Sequence, residues 1–152
     1  MLELKAEPLT AEAFAPFGDV IDARTSAWFP INAGRTRRHH DLATVETLGE
    51  GARTLISLFV SQPVTLPLEL SQAFMPLHEE RFVVVVAPPG ETIDPAEVRA
   101  FVTDGRQGVN YRAGTWHAIQ SVLEQEGEFL VVDRGGEGNN CDEHPLALRI
   151  TL

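Results

Sequence analysis

The sequence has one cysteine, Cys141, in 152 residues, so an intrachain disulfide is excluded and nothing in the chain calls for an oxidising compartment. A cytoplasmic protein is expected. It has no apolar run long enough to span a bilayer, and Lys5 and Glu7 interrupt the N-terminal stretch MLELKAEPLTAEAF, so no membrane association is expected. Basic residues are few: 12 Lys and Arg stand against 22 Asp and Glu, a formal net charge of −10 that repels a polyanion. Nucleic acid is not an expected partner.

Several chemical signatures are missing as well. No serine sits in a G-x-S-x-G elbow, and Cys141 lies in the polar stretch NNCDEH with no nucleophile signature around it. Covalent catalysis has no support. The glycines of GGEGNN are accompanied by neither a Walker lysine nor a helix pattern, which leaves a polar turn whose N–H groups can hold a small anion. Of five histidines, His39 and His40 are adjacent, while His78, His117 and His144 lie far apart with no H-x-H or H-x-x-x-H pair. Metal chemistry needs three or four converging ligands, so no metal is expected here.

What the sequence does contain is an ordinary globular balance, 43% apolar and 22% charged, in a length that suits one domain over residues 1–152. Thr10 is placed to cap a short helix through Ala11, Glu12 and Ala13, which Gly18 ends. From Arg53 onward the runs RTLISLFV, RFVVVVA, VRAFV, GVNYR, WHAIQSVL and EFLVVD are rich in β-branched and aromatic residues, the composition of short strands. Turn chemistry separates them at PPG (88–90), Asp104-Gly105, Ala113-Gly114 and Gly127. DPAEV predicts one helical turn capped by Asp94. Short strands with little helix between them predict an antiparallel sandwich or small barrel.

Strand phase places the side chains. FVVVV is apolar on both faces, as an interior strand requires. In the run from Trp116, an unbroken strand sets Thr115, Ile119, Ser121 and Leu123 in phase with His117. Asp133 is in phase with Phe129 and Val131, which puts a carboxylate beside an apolar interior, with Arg134 on the opposite face. Arg99 is in phase with Phe101. One basic island, GRTRRHHD, gathers Arg35, Arg37, Arg38, His39 and His40, and reads as a solvated loop, an anion site or a subunit contact.

Taken together, FGDVI, INAGRTRRHHDLATVE, SQAFMPL, FVVVVAPPG, VRAF, GRQGVNY, GTWH and FLVVDRGGEGNNCDEH resemble the ureidoglycolate lyase family, formerly called ureidoglycolate hydrolases, from about Glu7 to His144. The resemblance implies a cupin-like antiparallel β-barrel (double-stranded β-helix) with a short N-terminal helix, assembled as a homodimer. The implied reaction splits ureidoglycolate into glyoxylate and urea in allantoin and purine catabolism, without a cofactor. The family's E-R-H-P element is absent before Ser71, its N-Y-H is Asn110-Tyr111-Arg112 here, and its W-H-H-P is Trp116-His117-Ala118-Ile119.

Cleaving this carbinolamide takes a base near the hydroxyl, an acid at the departing nitrogen and donors for the carboxylate. His117, Tyr111 and Gln72 are the expected catalytic residues. Asn110, Arg99, Arg134 and Asp133 are the expected substrate-binding residues. A small-carboxylate binding protein and an enzyme on a related ureido acid stay open as alternatives, the second suggested by Arg112.

Overall fold

The run FVVVVA forms a strand, Phe82–Ala87, in which every residue is buried. Its two faces serve different cores. Phe82, Val84 and Val86 join Phe14, Phe74, Phe101, Val109, Tyr111, Phe129 and Val131 in one cluster, while Val83, Val85 and Ala87 join Ala6, Val98 and Ala100 in another. A strand of alternating side-chain direction can be apolar throughout only when both faces are covered.

The computed structural model describes residues 1–63, 72–118, 120–136 and 143–152, Gln72 by its backbone alone. In chain order the first elements are β1 (Leu2–Lys5), β2 (Glu7–Pro8), helix α1 (Ala11–Phe14), β3 (Gly18–Ile21), β4 (Phe29–Ile31), β5 (Thr36–Arg38) and β6 (Arg53–Ser61). There follow β7 (Gln72–Pro76), β8 (Phe82–Ala87), β9 (Arg99–Val102), β10 (Gly108–Tyr111), β11 (Trp116–His117), β12 (Ser121–Val122), β13 (Gly127–Gly135) and β14 (Leu148–Thr151).

One five-stranded sheet runs β3-β10-β7-β13-β6, and a second runs β11-β8-β9-β2 with β12 also on β8. Among the described residues the two sheets are not joined into a closed barrel. They face each other as a cupin-like β-sandwich around the first aromatic core. Its rings meet at tilted or edge-to-face angles, as Phe82 and Phe129 do at 5.3 Å and Phe14 and Phe101 at 5.7 Å. Burying a Phe fully contributes about 2–3 kcal/mol, so Phe14, Phe82, Phe101 and Phe129 form the backbone of this core.

Two pairings depart from the antiparallel expectation. β1 and β14 pair in parallel, and so do β2 and β9. The β1–β14 ribbon brings Leu2, Leu4, Leu148 and Ile150 over the outer face of the second sheet, where they cover the second cluster. Its pattern is too short to read locally, since four residues of each chain end become a ribbon only when the ends meet.

The caps follow the sequence. Thr10 Oγ1 accepts from the Ala13 N–H at 3.2 Å, and Asp94 accepts from the Ala96 N–H at 2.9 Å to start a 3-10 turn over Pro95–Glu97. Gly18 faces Tyr111 in the β3–β10 pair, where a Cβ would lie 1.9 Å from the Asn110 carbonyl oxygen, so only glycine lets β3 approach. Within the basic island Thr36–Arg38 form β5 and pair with β4, Arg35 sits in the turn, and His39 and His40 follow the strand, leaving the stretch largely exposed. Arg37 and Arg38 lie over the rings of Trp28 and Phe29 at 4.8 and 5.9 Å.

Candidate functional site

His117 lies at the end of β11, opposite Val86 of β8. Val86 belongs to the core between the sheets, and side chains of directly paired residues share a face, so His117 faces inward. Its ring stacks on Tyr111 of the facing sheet, with centroids 4.1 Å apart and planes 14° from parallel. The Nδ1 atom lies 3.1 Å from the Thr115 carbonyl oxygen. A carbonyl only accepts, so Nδ1 carries the proton and Nε2 keeps its lone pair. Burial pulls the imidazole pKa down to about 4, against a smaller upward effect of the Thr115 bond. The ring is therefore neutral at pH 7, and Nε2 is available as a base.

Tyr111 is 5% exposed, and burial pushes its phenol above the ordinary range, so it stays a protonated O–H. The registers extend a row from it. Asn110 pairs with Ala73, which sets Tyr111 beside Gln72 one step on, and Gln72 pairs with Asp133 of β13. Three of the expected residues thus lie abreast on β10, β7 and β13. Asp133 shares its face with Val131 and Phe129, both wholly buried, as its phase required. The side chain of Gln72 lies outside the described residues, as do Ser71, the LPLEL segment before it, Ile119, Cys141 and the EGNN part of the glycine turn.

The remaining expected residues are held elsewhere. Asn110 alternates with Tyr111 and points to the opposite face, where its Nδ2 donates to Asp19 at 3.1 Å and to the Thr44 carbonyl at 2.9 Å. Arg134 alternates with Asp133, and its Nε donates to the Leu48 carbonyl at 2.5 Å. Arg99 keeps the phase of Phe101 and covers that ring at 4.9 Å, but its guanidinium binds Glu7 at 2.8 Å and the Ala13 carbonyl at 3.4 Å. Arg112 donates to the carbonyls of Ala15 and Pro16 at the end of α1. The structure brings none of these four to the stack of His117 on Tyr111. In each case alternation or a nearer acceptor takes the side chain away.

The phase around His117 needs correction. Trp116 pairs with Ala87 and His117 with Val86, but Ser121 pairs with Val83, so the register shifts by one residue between them. This is a bulge, and it inverts the alternation beyond it. Gln120 and Val122, not Ser121 and Leu123, follow His117 onto the inner face: Val122 joins the core between the sheets and Leu123 joins the outer cluster. Gln120 escaped the sequence reading. Its only signal was an amide inside an apolar run.

Residues 1–152 match the family model described as Ureidoglycolate lyase. The chain belongs to the ureidoglycolate lyase family. A protein named Ureidoglycolate lyase from Pseudomonas paraeruginosa is 53% identical over 153 residues, covering 95% of this chain and 90% of its own length. One of the same name from Stutzerimonas stutzeri is 52% identical with the same coverage. Another, from Burkholderia mallei, is 49% identical over 155 residues, covering 96% of this chain and 91% of its own.

In this member of the ureidoglycolate lyase family, no three His, Cys, Asp or Glu side chains converge as a metal ligand set among the described residues. A groove of about 220 Å³ opens on the outer side of the second sheet, lined by Val85, Ala87, Ile93, Trp116, Glu143 and His144, and it also reaches His117. Its walls are mainly apolar. The inner face, with a neutral imidazole, a protonated phenol and a carboxylate, has the acid and base groups that C–N cleavage requires. No helix is long and apolar enough to cross a membrane, among the described residues.

Proposed function

We propose that this chain is a carbon–nitrogen lyase that splits ureidoglycolate into glyoxylate and urea in allantoin breakdown. The observation that carries the reading is the half-buried imidazole of His117, neutral, fixed in one tautomer by Thr115 and stacked on Tyr111, in a chain of this family. In the reaction Nε2 of His117 removes the substrate's hydroxyl proton. The O–H electron pair forms the glyoxylate C=O bond, the C–N bond breaks, and the nitrogen takes up a proton as urea leaves. The Tyr111 phenol donates toward the departing nitrogen. Asp133 holds the substrate from β13, in the sheet that carries Tyr111. Atoms balance without a redox partner.

Purified protein incubated with ureidoglycolate is expected to release glyoxylate and urea in equal amounts above the substrate's own decay. No release above that background would leave a small-carboxylate binder as the better description. The single cysteine supports a cytoplasmic location, where a thiol stays reduced.

We also propose that the chain works as a homodimer. On β6 the residues Ile56, Leu58 and Val60 are 74%, 69% and 57% exposed, and Leu130 of the neighbouring β13 is 36% exposed. They alternate with inward residues, so they form one apolar patch on the outer face of an edge strand, which a monomer rarely leaves open. Sedimentation is expected to give twice the 16.7 kDa chain mass, and Ile56→Lys with Leu58→Glu is expected to give the monomer. A wild-type monomer would refute the assignment.

A further inference from the structure

Gln120 is only 6% exposed, and among the described residues neither its amide oxygen nor its amide nitrogen has a hydrogen-bond partner. A native fold pairs nearly all its buried polar groups, and a carboxamide left unpaired on both atoms calls for a ligand. The bulge after His117 sets both side chains on the inner face although they are three residues apart, which an unbroken strand would forbid. Continued one residue back, the pairing of Ser121 with Val83 sets Gln120 beside Val84, two residues along β8 from Val86, the partner of His117. The orphaned amide and the proposed base therefore face the same interior.

We propose that Gln120 recognises the ureido end of the substrate, a role that rests on the lyase reading above. A carboxamide has one acceptor and one donor edge, and so does a ureido group. Gln120 Oε1 accepts from a ureido N–H while Nε2 donates to the ureido carbonyl, two parallel bonds that satisfy both orphaned atoms. A carboxylate has no donor for Oε1 and would leave it unpaired, so the glyoxylate end lies elsewhere. The bond from Nε2 also falls on the oxygen where charge gathers as the C–N bond breaks, which couples recognition to departure of urea.

Gln120→Met keeps the volume and removes both hydrogen-bonding atoms. The expected result is a KM for ureidoglycolate and an inhibition constant for urea each raised at least tenfold, with inhibition by oxalate, a mimic of the carboxylate end, changed less than twofold. Because no bond within the protein is lost, the melting temperature is expected to hold or rise. Urea inhibition within twofold of wild type, equal weakening toward urea and oxalate, or a lowered melting temperature would each overturn the assignment. Gln120→Leu provides the same comparison if the Met variant folds poorly. Should the wild type release no glyoxylate, the lyase reading fails separately. Urea contacts followed by ligand-observed NMR then decide Gln120, lost in the variant if it binds urea, and unchanged or absent from the wild type if it does not.

Discussion

His117→Ala is expected to lower kcat/KM for ureidoglycolate at least about a hundredfold, the usual scale for losing a general acid or base and equivalent to about 2.7 kcal/mol of transition-state stabilisation. The expectation comes from three features of one side chain. Its Nδ1 proton is committed to Thr115, its ring plane is set by Tyr111, and its Nε2 lone pair is left over. Alanine also removes the stack, so His117→Phe belongs beside it: a phenyl ring retains contact with Tyr111 and has no basic atom. Both variants are expected to fold, by circular dichroism, and both to lose turnover. If His117→Phe retained activity within about threefold, the imidazole would be a packing residue and the base would have to be sought elsewhere.

Acid pH is expected to destabilise the wild type more than His117→Phe, by about 3 kcal/mol between pH 7 and pH 4. The folded imidazole titrates near 4 because burial disfavours its charged form, whereas the unfolded chain titrates near 6.5. Between those values the unfolded state binds a proton that the native state does not. Stability from this group is therefore complete above pH 6.5 and is lost as the pH falls through the window down to about 4. Both proteins carry the same carboxylates, so their difference isolates the imidazole. Guanidinium melts at pH 7, 5.5 and 4 measure it, guanidinium being preferred because urea is a product of the proposed reaction. Parallel losses in the two proteins would mean that the ring is hydrated. The same value places the acid limb of kcat/KM near pH 4, not near 6.5.

Much of the molecule was legible because its signals are local. Thr10 and Asp94 cap their turns by bonds within three residues, and the both-face burial of Phe82–Ala87 follows from an uninterrupted apolar run. Alternation placed Asp133 and Arg134 on opposite faces of β13. Residue order and spacing also carried the family resemblance, with the mainly β, cupin-like architecture that goes with it.

Other features depend on partners far along the chain. Arg99 had the right phase, but Glu7, 92 residues away, holds its guanidinium. The one-residue register shift between His117 and Ser121 is set by the pairing with β8, and no local pattern shows it, yet it turns Gln120 and His117 to the same face of the sheet. Likewise the stack of His117 on Tyr111 joins residues from two facing sheets. Which residues can do chemistry and which runs become strands follow from the residues alone, because propensity, capping and alternation act over a few residues. Which of those side chains meet follows from the folded arrangement, because sheet register and long-range ion pairs depend on chain segments that no local pattern brings together.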